Sequence, residues 1–423
     1  MYLAVCWRTV FAAVFVLLMS AATHVAALSF NEALALAVRD APDLRSAAKQ
    51  IDAAKFAALP AGTLPDPKLI LGMDNVPVSG SDSFSLTRDF MTMRRIGVMQ
   101  EFPNQGKRKA EIALANGRVA LTEANAQLMR LTVMRETALA WIKRYTFEQQ
   151  LVQISLLIEE NRFFDDAVRA TIASGKGAAI DVVAPRQEAA LLEEQRDNFE
   201  SQRQQSLAIL KRWVGERANE PIEGQPPHWL ISYKALAQGL HKHPDLIALD
   251  PKTKVIEAEL AEAQADKRPD FALEMAYQKR AQEFGDMVSV QLSVDLPLFA
   301  QTRQNPFIAA KQAERLSLEA ERELMLREHR AVLESELADY ARLDKSLKRQ
   351  REVLMPLAME KVELALAAWR GAKGSLMDLV VARRENLELK LKTIALEGKQ
   401  QLLAARLYYA YSQPIAINPG EQP

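Results

Sequence analysis

The chain has 423 residues, with 54 Lys and Arg balanced by 54 Asp and Glu, and a single cysteine. A balanced charge gives no overall field to draw in nucleic acid or an anionic surface, so nucleic acid is not an expected partner. One cysteine excludes a disulfide framework, and a composition rich in Ala, Leu, Glu, Gln and Arg suits extended helices.

Residues 1–27 read as a secretory signal. Arg8 is a thin positive n-region, and Val10 to Met19 is an apolar run too short to span a bilayer. Val25-Ala26-Ala27 puts small residues at the −3 and −1 positions, so cleavage is expected after Ala27. The competing reading is an uncleaved anchor helix. Cys6 lies in this segment, so no disulfide or thiol chemistry is expected of the mature chain. Leu3-Ala4-Val5-Cys6 comes too early to serve as a lipoprotein box. No later stretch reaches about 18 consecutive apolar residues. Any membrane crossing would therefore use strands closed into a barrel.

Residues 28–215 form the first of two repeats. Ser29 and Glu32 fit a capping box, and the helix they open is expected to run to about Leu59, where Pro60, Pro65 and Pro67 break it. Two short strands are expected at about Lys68–Asn75 and Met93–Phe102. A helix of about 100 Å should then run from Gly106 to Ser174 without a proline. Its apolar and small residues recur in heptads at Leu114, Gly117, Leu121, Ala124, Leu128, Leu131, Ala138, Ile142, Tyr145 and Val152. Arg135 and Gln149 interrupt this coiled-coil seam. Gly175-Lys176-Gly177 ends the helix, and a second runs from about Ile180 to Val214, giving a long antiparallel hairpin. Residues 216–229, with Pro221, Gly224, Pro226 and Pro227, read as a linker.

Residues 230–412 repeat the pattern, and 413–423 are a tail. Ala33-Leu34 through Pro42-Asp43-Leu44 matches Ala235-Leu236 through Pro244-Asp245-Leu246. Pro65-Asp66 is echoed by Pro269-Asp270, and Gln100-Glu101-Phe102-Pro103 by Val294-Asp295-Leu296-Pro297. Gly175 to Val183 is echoed by Ala372 to Val380. Four blocks in one order mark a tandem duplication. The second half should hold helices at about 234–266 and 375–412 against a long helix from Pro306 to Trp369, kinked at Pro356. Each half can then be one long helix beside two shorter ones in line, a slab about 100 Å tall with a strand pair at one end.

The second strand pair alternates cleanly. Phe271, Leu273, Met275 and Tyr277 fall on one side, and Val288, Val290, Leu292, Val294 and Leu296 do the same in the partner. A half-buried sheet on a soluble core would show this pattern, and so would a membrane barrel with a wet lumen. Long hairpins leave no compact core for such a sheet to cover, which favours the barrel. Four strands cannot close one, since the smallest membrane barrels have about 8. Several copies must then share it.

The signal, the two halves, the strand pairs and the doubled tip motifs (Gly175 to Ala184, Ala372 to Ala382) together resemble the TolC-like outer-membrane efflux proteins. The resemblance spans about residues 29–412. It implies a mainly α fold with a small β part: long antiparallel helical hairpins forming a coiled-coil barrel, plus four transmembrane strands per chain in a shared barrel. It also implies a homotrimer in outer-membrane lipid, fed by a periplasmic adaptor protein and an inner-membrane pump of the resistance–nodulation–division type. The family closes its periplasmic mouth with acidic residues at the second tip, where this chain has Asp378. The next acidic position is Val381 here, so one aspartate ring is implied. A helix N-terminal carboxylate is the competing role for Asp378. Asp181 holds the equivalent place in the first tip and would link neighbouring helices. Gly175, Lys176, Gly177, Lys373, Gly374 and Ser375 would dock the adaptor, or for the glycines simply end helices. The halves and tips are closest to the branch that exports heavy-metal cations. Export of drugs, or secretion of protein, is the alternative within the family, and a periplasmic coiled-coil scaffold without a pore is the alternative outside it.

His241-Lys242-His243 with Asp245 nearby is a weak metal candidate, and also fits the polar end of a helix turn before Pro244. Met73, Met91, Met93, Met99, Met275 and Met287 gather in the strand regions, as soft ligands or as gap-filling side chains. There is no phosphate loop, no glycine-framed serine nucleophile and no triad, so neither enzymatic chemistry nor a cofactor is expected.

Overall fold

The computed structural model describes residues 27–175 and 178–412. The leader with Cys6, the tip residues Lys176 and Gly177, and the tail 413–423 lie outside the described residues.

Ser29 opens the first helix as its capping box predicts. Ser29 Oγ accepts a hydrogen bond from the Glu32 amide at 3.2 Å, and the Glu32 carboxylate accepts one from the Ser29 amide at 3.3 Å. The single helix expected up to Leu59 is two: α1 (Phe30–Asp40) and α2 (Pro42–Ala58). The residue before a proline is pushed out of the helical region, and Ala41 sits at φ −59°, ψ 125°. The second half breaks at the matching proline. There α5 (Tyr233–Gly239) and a 3₁₀ turn precede His243, at φ −57°, ψ 132°, and Pro244 opens α6 (Pro244–Ala265).

Strands β2 (Lys68–Asp74) and β3 (Met93–Phe102) lead into α3 (Gln105–Ala173), a helix of 69 residues. A 3₁₀ turn at Ala179–Val182 then starts α4 (Val183–Val214). In the second half β5 (Phe271–Lys279) and β6 (Met287–Val294) precede α7 (Gln304–Arg349), α8 (Met355–Arg370) and α9 (Leu376–Leu407). Between α7 and α8 lies one π turn, Gln350–Leu354. Pro356 has no N–H for the carbonyl of Glu352, and the ladder widens just there. Both halves thus run as a two-part helix, a strand pair, a long helix and a return helix.

The segment 216–229 is more than a linker. Its β4 (Ile222–Glu223) pairs in parallel with β1 (Leu28–Ser29), Leu28 opposite Ile222. Two-residue strands carry no periodicity, which is why the sequence pattern hides them.

Contacts group the chain into two units, each drawing on both halves. One holds residues 42–131, 232–335 and from 410. Here the four long strands form an antiparallel sheet in the order β2-β3-β5-β6. The β3–α3 junction is tied to the start of β5. The Asn104 amide donates to Asp270 at 2.8 Å, and Lys107 Nζ lies 2.6 Å from Asp270 and 2.9 Å from Asp266. Alongside, α6 packs on α7 through Leu246, Leu249 and Leu318, flanked by the Lys252–Glu321 and Lys311–Glu259 ion pairs at 2.8 and 2.9 Å.

The other unit holds residues up to 41, 132–231 and 336–409. Its N-terminal segment is held by α3. Trp141 Nε1 donates to the Leu28 carbonyl at 3.1 Å, and both residues are fully buried. Buried Arg144 donates to the Ala218 carbonyl and, at 2.8 Å, to that of Glu220. Farther along, Ile154 and Leu157 of α3 pack with Leu192 of α4 and with Leu387 and Leu391 of α9.

Candidate functional site

The sheet sorts its side chains by chemistry. Across the register one face carries the rows Leu69–Val98–Met275–Val290, Leu71–Ile96–Tyr277–Val288 and Phe102–Phe271–Val294. The opposite face carries Lys68–Met99–Glu274–Gln291, Ile70–Gly97–Ala276–Ser289 and Gly72–Arg95–Gln278–Met287. Ion pairs cross this second face. Lys68 meets Glu101, and Arg95 lies 3.6 Å from Asp74 and 3.4 Å from Glu274.

A sheet in water hides its apolar face. This one exposes it: Leu69 is 65 %, Val98 51 %, Met275 58 % and Val290 62 % exposed. On the polar face Gly97 and Ala276 are buried and Glu274 and Arg95 only half-exposed. A contiguous apolar patch of this kind marks a surface that meets lipid or another protein. The edges of the sheet are β2 and β6. The strand methionines do not converge. Met73 and Met275 fall on the apolar face and Met99 and Met287 on the other, so they form no soft-metal cluster.

The helix tips are the second candidate. Gly175 ends α3 at φ +75°, a left-handed turn that suits a residue without Cβ. The matching residue of the second tip is Ala372, which adopts φ +55° despite its Cβ. At Gly374 the need is space, since a Cβ there would come within 2.9 Å of the Ala368 Cβ. Lys373 is exposed.

Both tip aspartates fold back onto their own backbone. The Asp181 carboxylate accepts from the Ala178 amide at 3.0 Å. The Asp378 carboxylate accepts from the Ser375 amide at 3.3 Å and from its hydroxyl at 2.7 Å, and Ser375 Oγ accepts from the Asp378 amide at 3.1 Å. Asp378 is the exposed carboxylate of a full capping box, and Asp181 makes half of one because Ala178 has no hydroxyl. A cleft of about 710 Å³ between the two tips is lined by Ser174, Asp181, Arg370, Gly374 and Ser375. Asp378 does not line it. Behind the tips, Phe164 and Val168 pack against Leu376 and Leu379, with the Arg383 guanidinium 4.7 Å from the Phe164 ring centre.

The metal candidate is rearranged. His241 is exposed and takes no part. His243 is buried and caps α6, its Nδ1 accepting from the Asp245 amide at 3.3 Å. The histidine beside it is His329 of α7, with ring centres 3.7 Å apart. His329 lies far from His243 in sequence, so no local spacing could have found the pair.

No family model matches the sequence, and no curated protein matches it either. Solved structures do match. A membrane protein from Pseudomonas aeruginosa is 17 % identical with a TM-score of 0.78, over 92 % of this chain and 92 % of that one. The outer membrane protein VceC from Vibrio cholerae is 19 % identical with a TM-score of 0.73, over 90 % and 95 %. The CmeC outer membrane channel from Campylobacter jejuni is 11 % identical with a TM-score of 0.74, over 90 % and 85 %. At these identities the likeness is one of fold. The chain has the TolC-like channel fold, helical hairpins with a small sheet.

Proposed function

We propose that this chain is the outer-membrane channel of a tripartite efflux system, a passive conduit that performs no chemistry of its own. The observation that carries this reading is the inverted sheet, whose apolar face is exposed while its charged side chains gather on the opposite face. In hydrocarbon that arrangement is the stable one: the apolar rows face lipid and the charged rows line a wet lumen. Strands β2 and β6 would pair with sister copies, three chains giving twelve strands. Solved channels of the same fold support this reading, since VceC, CmeC and their like are described as outer-membrane proteins or channels.

The finer assignments extend that reading. The tips, with Gly175, Lys176, Gly177, Lys373, Gly374 and Ser375, would dock a periplasmic adaptor. An inner-membrane pump of the resistance–nodulation–division type would supply the energy. A ring of Asp378 carboxylates near the mouth would repel one another and attract cations, which suits export of heavy-metal cations. Asp181 would hold the first tip in shape.

The mass of the detergent-solubilised protein, read with its single-channel conductance, tests the conduit. Three chains and a stable conductance are expected. A monomer in plain buffer with no conductance overturns the proposal. Deletion of the gene tests the cargo: metal sensitivity is expected, and unchanged metal tolerance with new sensitivity to drugs or dyes would reassign it.

A further inference from the structure

Three side chains from two helices meet at one point of the sheet-bearing unit. His243 precedes α6, Asp245 lies in its first turn, and His329 projects from α7. His329 Nε2 is 3.3 Å from Asp245 Oδ2, and His243 Nδ1 is 3.6 Å from the same oxygen. One ligand atom from each residue lies within 4.8 Å of the other two. Tyr411 closes one side. Its ring centre is 5.3 Å from that of His243, and its hydroxyl donates to the His329 carbonyl at 3.1 Å.

We propose that His243, Asp245 and His329 bind a divalent transition-metal ion of the Zn²⁺ type. Two imidazoles and one carboxylate are a borderline donor set that suits such an ion rather than Ca²⁺ or Mg²⁺. Zinc holds nitrogen and oxygen at about 2.0–2.2 Å, so tetrahedral neighbours stand roughly 3.3–3.6 Å apart. The two nitrogen-to-oxygen separations already have that spacing.

Capping alone does not account for the cluster. A cap needs one acceptor, and Asn or Ser serves as well as His. It leaves unexplained a second histidine from another helix that shares the same carboxylate. Binding requires His243 to exchange its 3.3 Å bond from the Asp245 amide for the metal. It also requires the rings, now 30° apart in plane, to swing so that both lone pairs converge. Water would complete the coordination. The ion would clamp α6 to α7, a role independent of whatever the chain exports.

The test uses the full chain in detergent, stripped with a chelator and titrated calorimetrically with ZnCl₂ alone. One Zn²⁺ per chain at this site is expected, with Ca²⁺ unable to compete. His329→Gln and Asp245→Asn should each weaken that binding roughly tenfold or more. Binding undiminished in His329→Gln, or no binding in the wild type, overturns the site. Should the variants fail to fold, X-ray absorption of the zinc-loaded wild type decides. Two imidazoles in the coordination shell uphold the proposal, and a shell of oxygens alone overturns it.

Discussion

Asp378 Oδ2 takes hydrogen bonds from both the amide and the hydroxyl of Ser375, at 3.3 and 2.7 Å. The carboxylate implied as a gate is thus also a helix cap, and the two roles separate by substitution. Asp378→Ala removes both, and should lower stability by about 0.3–1 kcal/mol along with cation preference. Asp378→Asn keeps a capping acceptor but no charge, so thermal stability should stay near wild type while the reversal potential in a salt gradient shifts. An unshifted reversal potential in the Asn variant would remove the carboxylate from the ion path.

Ala372 stands at φ +55° where the first tip has Gly175. A Cβ in the left-handed region is strained, so Ala372→Gly should stabilise the second tip by about 1 kcal/mol. Gly175→Ala should do the reverse at the first. Urea midpoints of the detergent-solubilised protein measure both, and equal signs would contradict the assignment.

Burial pushes the Glu188 carboxyl up, against the opposing pull of Arg384 and Arg383. A carboxyl raised in the folded state binds its proton more tightly there than in the unfolded chain. Stability contributed by the protonated form therefore falls as pH rises from the ordinary glutamate range of about 4–5 through the raised value. Glu188→Gln should raise the melting temperature at pH 7, and the gain should shrink towards pH 4. A gain independent of pH would point to packing instead.

Val290 and Gln291 are neighbours on β6 that face opposite sides of the sheet. If the apolar face meets lipid, Val290→Lys should destabilise the assembled protein by about 2–4 kcal/mol. Gln291→Lys, opposite Glu274, should be tolerated. Heat resistance of the oligomer on semi-native gels reads the difference, and equal tolerance of both would argue against a lipid-facing surface.

Trp141 Nε1 is buried and bonded to the Leu28 carbonyl. Trp141→Phe removes that side-chain donor from a buried carbonyl and should cost about 0.5–1.5 kcal/mol. Earlier proteolysis of the N-terminal segment would report it, and an unchanged cleavage rate would show the tether to be dispensable.

Long-period features were the legible ones. The 69-residue helix begins and ends within a residue of its sequence pattern, because glycines and a proline-free heptad run mark both ends. The second strand pair was legible from alternation alone. What escaped was non-local or short. Pro42 and Pro244 break helices that periodicity would continue, since the apolar stripe resumes on the far side. The β1–β4 ladder is too short to show a period. At the tips the sequence placed Asp181 and Asp378 but not their hydrogen bonds: each carboxylate accepts from the backbone amide three positions earlier, and only Ser375 adds a hydroxyl. His329 could not be joined to His243 from spacing, because folding alone brings α6 and α7 together.

For the proposed membrane channel, the open margins of the sheet would have a kinetic corollary. Each backbone group left unbonded along β2 or β6 would cost several kcal/mol in hydrocarbon, so a solitary chain would have no stable halfway state inside the bilayer. Insertion and association would then proceed as one concerted event. Its rate should climb steeply with subunit concentration, and it should stall in an off-membrane pool when copies are scarce.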